Sequence, residues 1–380
     1  MIDTVVITLD KNDFIISKPT RFSPSAVGLI LKPYYPKSNQ GYFKCVNNPK
    51  KKDIQKHGYL PRLTLIARNN EEKFLLQLRI EFSAPKILYG NNFDELKSED
   101  FYELIAELKE KLKIMGVITT EDKLINANVS TIHFSKNIRL DKYTKCSYIL
   151  KELGKINLNQ ILDLSSTDYR NYGHSVRYHA NSYEIIFYDK VKDLDRSRIS
   201  EKRCIEKDNY LQLDLFKKIQ YDSKINVLRM EVRLNNKRVI YSNLKKINMP
   251  IELTFHNLFS ARISKSILIH YFNLIWKNWH IDCKSDIKPE DLFIEIERSR
   301  HYKPKKIISL IGTLALVNSI GIQGLRNLLS TMNYRTWQRT KSEILDLDLD
   351  NTSNHRLFPD IFSKLDKFER IKISDFNLVD

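Results

Sequence analysis

Short stretches in which apolar and polar residues alternate recur along the first two thirds of the chain. Alternation with a period of two is typical of a strand that has one face on a hydrophobic core and one face free. Three of these stretches place one potential metal ligand on the polar face: residues 76–82 with Glu81, 130–135 with His133 and 228–234 with Glu231. The pattern predicts that these three side chains point away from the core, on the open face of a sheet.

A fourth stretch, residues 182–190, predicts another strand, and its polar face carries Glu184, Tyr188 and Lys190. A tyrosine can attack phosphorus, but its pKa is about 10, so a nearby cation or a metal-polarised phosphate has to assist it. Lys190, two residues further on the same face, is placed to lower the pKa of Tyr188 or to hold a phosphate oxygen. Periodicity alone does not favour Tyr188 over Tyr178 or Tyr183.

The remaining pattern predicts the fold class. The clearest helix covers residues 101–115, where apolar side chains recur every three or four positions. Further predicted elements are strands at 5–9, 59–68, 73–83, 128–135, 175–190 and 226–234, and helices near 144–153, 157–163 and 200–219. We therefore expect an α+β fold, an antiparallel sheet with helices on one face and an open catalytic face. The alternation stops near residue 250, which predicts two domains, 1–248 and a mainly helical 249–380.

Within the C-terminal region, residues 321–342 predict two short helices joined by a tight turn. The second is rich in Arg, Gln, Thr and Lys, a composition that suggests a helix-turn-helix. The alternative is a plain helical hairpin in which Trp337 is simply a core residue.

Charge and cysteine content narrow the class of protein. The 380 residues include 63 Lys+Arg and 46 Asp+Glu, a net charge of +17. This excess favours a polyanion partner, most often nucleic acid, although a basic protein without such a role is the alternative.

The four cysteines lie far apart, which excludes a zinc ribbon and favours a reducing cytosol. No stretch has the length of a membrane span, and the first residues lack the basic character of a signal peptide, so we expect a cytoplasmic protein with no membrane partner.

The open face carries residue types suited to phosphodiester cleavage. This reaction requires a nucleophile and stabilisation of the charge that develops on phosphorus. Mg²⁺ and Mn²⁺ prefer carboxylate oxygens and accept some imidazole, so Glu81, His133 and Glu231 could bind either ion if their strands are neighbours. The alternative is that the two acids form surface ion pairs with arginines of the same strands: Arg79, Arg229 and Arg233.

Five blocks of the sequence resemble the filamentous-phage gene-two replication protein family and its plasmid and prophage relatives. The blocks are residues 1–3, 81–92, 129–135, 187–190 and 228–233. Their order and approximate spacing match over roughly residues 1–250, and the block at 81–92 is the most specific.

The resemblance implies a rolling-circle Rep endonuclease-like fold and a replication initiator. Such an enzyme nicks one strand at an origin through a covalent phosphotyrosine intermediate and later rejoins it. The resemblance selects Tyr188 as the nucleophile and Lys190 as the family's lysine, and Glu81 and Glu231 match acidic positions. His133 is a departure, because the phage proteins carry an aspartate there. A role in binding Mg²⁺ or Mn²⁺ survives this change, since both residue types can bind these ions.

The implied partners follow from this activity. They are the supercoiled origin duplex, its single strand, and a helicase and a polymerase of a bacterial host cell. Residues 1–248 would form the nicking and strand-transfer domain, and residues 249–380 a DNA-binding or accessory domain. The expected DNA contacts are Arg79, Arg229, Arg233, Arg335, Arg339 and Lys341. A basic face alone would also suit a non-catalytic origin-binding protein or a protein that coats single-stranded nucleic acid.

Overall fold

The computed structural model describes ten segments of the chain. They are residues 1–27, 42–70, 73–141, 144–156, 166–170, 174–193, 226–249, 252–282, 289–345 and 357–376. The helices predicted at 157–163 and 200–219 lie outside these residues.

Most of the strands belong to one large antiparallel sheet. The strands are β1 (Ile2–Asp10), β2 (Ile15–Ile16), β3 (Tyr42–Asn47), β4 (Arg62–Asn70), β5 (Lys73–Ser83), β6 (Val117–Ile118), β7 (Asn128–Arg139), β8 (Ser166–Arg170), β9 (Ser175–His179), β10 (Tyr183–Asp189) and β11 (Val227–Leu234). Nine of them form the sheet in the order β3-β4-β5-β1-β7-β11-β10-β9-β8, and β2 pairs with β6 separately. Every neighbouring pair is antiparallel, as the sequence predicts.

Alternation along each strand divides the sheet into an apolar and a polar face. On β11 the side chains of Leu228, Met230 and Val232 are fully buried in the core. The residues between them, Arg229 and Glu231, therefore lie on the opposite face. The polar face that the alternation predicts, here called the open face, is thus present and carries the charged residues, but Arg229 and Glu231 on it are almost completely buried.

Helices cover the apolar face. The helices are α1 (Lys51–His57), α2 (Ala84–Tyr89), α3 (Phe101–Ile114), α4 (Glu121–Ile125), α5 (Cys146–Lys155), α6 (Lys237–Lys246), α7 (Phe255–Leu258), α8 (Ala261–Asp282), α9 (Pro289–Arg300), α10 (Pro304–Leu328), α11 (Tyr334–Leu345) and α12 (Leu357–Lys367). Helix α3 matches the clearest prediction, and its apolar stripe of Leu104, Leu108 and Leu112 is fully buried in the main core. The architecture is α+β, with a helical C-terminal region.

The main core continues beyond the predicted boundary at residue 248. Ile267 and Phe272 of α8 and Leu365 of α12 belong to the same hydrophobic cluster as the sheet. A second cluster is formed by α9, α10 and α11. Helices α8 and α12, near the two ends of the C-terminal region, therefore share the core of the sheet.

The segment predicted as a helix-turn-helix has a different local structure. Residues 321–328 are the last turns of the 25-residue helix α10, not a short first helix. Trp337 of α11 is buried in the second cluster, and the Arg326 guanidinium lies 5.5 Å from its ring centroid. This arrangement matches the alternative, a helical hairpin with Trp337 in its core. Within the described residues, none of the helices combines the length and apolar character that crossing a bilayer requires.

Candidate functional site

Strand register brings the polar residues of three adjacent strands together. On β7 and β11, His133 is paired with Arg233 and Ser135 with Glu231. On β11 and β10, Arg229 is paired with Tyr188. Because directly paired residues of antiparallel strands point to the same side, these side chains form one cluster on the open face.

Glu231 is the centre of this cluster. Its Oε2 accepts a long hydrogen bond of 3.4 Å from the Tyr188 hydroxyl. Its Oε1 lies 3.0 Å from Nε of Arg233 and 3.4 Å from Nδ1 of His133. Burial raises the pKa of this carboxyl, but Arg233, His133 and Arg229 outweigh that effect and hold the pKa well below its usual range. Glu231 is therefore a carboxylate that orients the phenol and is a weak base.

The three candidate tyrosines, Tyr178, Tyr183 and Tyr188, have different environments in the structure. The Tyr178 hydroxyl donates to the carbonyl of Leu153 at 2.5 Å, inside the core. Tyr183 belongs to the apolar face, where its ring packs 5.6 Å from that of Tyr271. Only Tyr188, of the three, reaches the polar cluster. Burial raises the pKa of Tyr188 well above 10, so the phenol is protonated in the resting protein.

Arg229 lies beneath the cluster and is almost completely buried. Its NH2 contacts Asp3 Oδ1 at 3.1 Å and donates to Ser135 Oγ at 2.8 Å, and its NH1 donates to the carbonyl of Asn92 at 2.7 Å. Although burial lowers the pKa of this guanidinium, the negative charges of Asp3, Glu231 and Glu95 raise it, so Arg229 stays charged. Arg229 therefore connects β11 with β1, β7 and the segment that contains Asn92, and NH1 and NH2 of its guanidinium both contact protein atoms.

Asp3 is a site residue to which the sequence patterns assigned no role. Ile2 is paired with Phe134 and Val5 with Ile132, so β1 has one more residue than β7 between these pairs. This β-bulge turns Asp3 toward Arg229. Residues 1–3 carried part of the family resemblance, but a bulge leaves no signal in an alternating pattern.

Lys190 is the second buried cation of the site. Its Nζ is fully buried, donates to Asn92 Oδ1 at 2.9 Å and lies 5.8 Å from the centroid of the Tyr188 ring. Burial and the nearby Arg229 lower the pKa of Lys190 to about 7. At neutral pH this amine is therefore close to half protonated.

A second group of charges extends from the cluster toward the edge of the sheet. Glu184 of β10 lies 3.2 Å from Nδ1 of His179 and 3.4 Å from NH1 of Arg233. Arg177 lies 3.8 Å from the same carboxylate. His179 is thus close to the site, as is Arg177. Nδ1 of His174 is buried and has no hydrogen-bond partner among the residues that the structure describes.

Glu81 does not join His133 and Glu231. It is exposed on β5 and is paired with Val6 of β1, which is paired with Thr131 of β7. Glu81 and Glu231 are thus three strands apart, about 14 Å from strand spacing alone, and the register separates them by a further four residues along β7. Two carboxylates at that separation cannot share one ion.

The described residues contain no group of three or more His, Cys, Asp or Glu side chains arranged to hold a metal ion. The predicted trio is therefore reduced to the adjacent pair His133 and Glu231. Mg²⁺ and Mn²⁺ prefer carboxylate oxygens and accept some imidazole, so the donor types of this pair fit either ion, but both oxygens of Glu231 already contact protein groups.

Comparisons with protein-family models, with curated proteins and with solved structures return no match. The resemblance to the gene-two family thus depends on the sequence blocks alone.

The six expected DNA contacts occupy different environments. Arg79 is exposed on the open face, Arg233 is partly exposed within the cluster, and Arg229 is buried. In α11, Arg335 is exposed and Arg339 pairs with Glu343 at 3.2 Å, whereas Lys341 is half-buried. Arg79, Arg233, Arg335 and Arg339 therefore have accessible surface to offer a phosphate, and Arg229 does not.

Proposed function

We propose that this chain is a rolling-circle replication initiator, which nicks one DNA strand at an origin and rejoins it through a covalent phosphotyrosine intermediate. The observation that carries the proposal is the contact between the Tyr188 hydroxyl and Glu231 on the open sheet face, with Lys190 and Arg229 beside it. The net charge of +17 supports a polyanionic substrate.

The proposed reaction is an in-line displacement at phosphorus. The Tyr188 oxygen forms a bond to phosphorus, the bond from phosphorus to the 3′ oxygen breaks, and the 5′ phosphate remains on the tyrosine. The phenol loses one proton, and the leaving 3′ oxygen takes one from solvent. Rejoining reverses these steps with a 3′ hydroxyl as the nucleophile, so the overall reaction conserves the number of phosphodiester bonds.

Lys190 is the better of the two bases near the phenol. Glu231 has a lowered pKa and so accepts protons poorly. Lys190 has a pKa of about 7, which matches the neutral pH at which general bases are most effective. In the proposed mechanism neutral Lys190 takes the Tyr188 proton, and the resulting ammonium stabilises the charge on phosphorus.

Glu231 and His133 would hold the Mg²⁺ or Mn²⁺ ion, together with phosphate oxygens of the substrate. When bound, the ion supplies Lewis-acid stabilisation of the transition state. Arg233 and Arg177 lie on the same face and would hold the flanking strand.

The proposal can be tested without knowledge of the origin. The chain is incubated with randomised single-stranded oligonucleotides and Mg²⁺ or Mn²⁺, and covalent adducts are isolated under denaturing conditions. Digestion and mass spectrometry should find the nucleotide phosphate on residue 188, and sequencing of the captured DNA should reveal the preferred site. Binding without any adduct, with either metal, would favour the non-catalytic alternative, an origin-binding or single-strand-binding protein.

Substitutions of Glu231 and Glu81 should have different effects on the rate of adduct formation. Glu231→Gln should lower the rate of adduct formation by about a hundredfold or more, because it removes the charge that orients Tyr188 and would hold the ion. Glu81→Gln should change the rate by less than about threefold, because Glu81 lies three strands away. Single-turnover rates at saturating DNA and varied metal concentration measure both. Equal losses in the two variants would contradict this assignment.

DNA affinity should fall steeply with salt. If about six phosphates are neutralised on single-stranded DNA, binding weakens about three-hundredfold between about 50 mM and about 200 mM monovalent salt. Fluorescence anisotropy with a labelled oligonucleotide measures this slope. An affinity that does not change with salt would count against any DNA-binding function.

A further inference from the structure

The loop formed by residues 90–97, here called the site loop, reaches the cluster from the end of β5 and α2. Through Asn92 it contacts both buried cations. The Asn92 carbonyl accepts from Arg229 at 2.7 Å, and its side-chain oxygen accepts from Lys190 at 2.9 Å. The position of this loop therefore determines the hydrogen bonding of both groups next to Tyr188.

Side chains of the loop fix its own shape and attach it to the sheet. Asn91 Oδ1 accepts from the backbone N–H groups of Phe93 and Asp94 at 2.9 and 2.8 Å. Glu95 Oε1 accepts from the backbone N–H of Asn137 at 2.6 Å, and its Oε2 pairs with the buried Lys136. Glu95 is thus a buried carboxylate whose oxygens are both engaged.

A segment remote in sequence covers this loop. Residues 369–376, here called the strap, follow α12 and lie along the site loop. Glu95 and Ile371 exchange two hydrogen bonds, from Glu95 N to Ile371 O at 3.1 Å and from Ile371 N to Glu95 Oε2 at 3.0 Å. Ile373 N donates to Asp94 Oδ1 at 2.7 Å. Phe376 packs edge-on against Phe93, with ring centroids 5.7 Å apart.

Arg370 is the side chain that connects the strap to both ends of the loop region. Its Nε donates to the Glu95 carbonyl at 2.7 Å, and its NH2 donates to the Tyr89 hydroxyl at 2.7 Å. Tyr89 in turn donates to Asp100 at 2.6 Å. Hydrogen bonds that involve a charged group contribute more than neutral ones, and Arg370 makes two of those that join the strap to the loop region.

We propose that the strap positions the site loop, and that Arg370 thereby acts as a positioning residue for Lys190 and Arg229 in strand transfer. This role depends on the proposed function of the site, but the contact between the strap and the site loop does not. When the strap is released, Asn92 leaves the two cations, and Lys190 gains access to solvent. Phosphotyrosine formation by residues of β10 thus depends on residues about 180 positions further along the chain.

The first test measures the accessibility of Lys190 and needs no DNA. The full chain is treated briefly with an amine-acylating reagent at pH 8, and labelling of each lysine is quantified by mass spectrometry. Arg370→Ala should increase labelling of Lys190 by about tenfold or more, because the loop then opens more often. Ser374→Ala is the matched control, since Ser374 is exposed in the same strap, and it should label like the parent.

The second test measures the reaction. Arg370→Ala should lower the single-turnover rate of adduct formation by about tenfold or more while DNA affinity stays within about twofold, because the binding surface is intact. Arg370→Gln keeps the stem and an N–H donor, so it should show a smaller change of the same sign, and it serves if the alanine variant does not fold. Unchanged Lys190 labelling in both folded variants would overturn the positioning role. Changed labelling with no adduct in the parent would instead reject the proposed function and leave the contact established.

Discussion

Tyr188→Phe should abolish the covalent protein–DNA adduct. The substitution removes one oxygen, the proposed nucleophile, and neither of the other two candidate tyrosines, Tyr178 and Tyr183, reaches the cluster. We expect at least about a thousandfold loss in the single-turnover rate. DNA affinity should change by less than about twofold, because among the described residues the hydroxyl makes one long hydrogen bond, to Glu231.

Tyr183→Phe is the matched control for this substitution. Tyr183 lies on the same strand, but its ring packs against Tyr271 on the apolar face. Its variant should form the adduct at the parent rate. If Tyr188→Phe formed adducts as fast as the parent, the nucleophile would be another residue, and the contact with Glu231 would be a purely structural hydrogen bond.

Local pattern was sufficient to predict much of the fold. Alternation on β11 follows from the need to bury Leu228, Met230 and Val232 on one side, which leaves Arg229 and Glu231 on the other. The apolar repeat of α3 likewise follows from burial of a single stripe. These features depend only on residues that are close together in the sequence, so they can be predicted from a single sequence.

The neighbours of each strand could not be predicted in the same way. A period of two gives the face on which Glu81 lies, but not which strand is next to β5. In the structure β1 separates β5 from β7, and this places Glu81 away from His133 and Glu231. Asp3 entered the site through a bulge and Asn92 through a loop, and neither arrangement has a periodic signature.

The environment of Lys190 is another feature of the site that the local sequence pattern does not predict. A lysine is normally solvated, yet Lys190, which directly follows β10, is fully buried beside another cation, Arg229. Among the described residues no carboxylate forms a salt bridge with it, and burial of a charge in such a setting is unfavourable, so this position weakens the folded state. Such a cost is expected where a residue is selected for reactivity and not for packing.

Lys190→Met should therefore stabilise the protein and inactivate it. In the folded chain the pKa of Lys190 is lowered to about 7, whereas in the unfolded chain it is about 10.4, so the unfolded state binds more protons between these values. Stability of the parent consequently rises with pH from about 7 to about 10, and the penalty, up to about 4 kcal/mol, is fully present below pH 7. Loss of the Asn92 hydrogen bond offsets about 1 to 2 kcal/mol of the gain.

Urea-induced unfolding at two pH values measures this effect. The stability advantage of Lys190→Met should be largest near pH 7 and should shrink by about 2 to 3 kcal/mol at about pH 9, while shifts from other groups cancel in the difference. Adduct formation should fall by about a hundredfold or more in Lys190→Met, and equally in Lys190→Arg, because a permanently charged guanidinium cannot accept the phenol proton. Full activity in Lys190→Arg would instead assign Lys190 a purely electrostatic role, and a pH-independent stability difference would show that its pKa is not lowered.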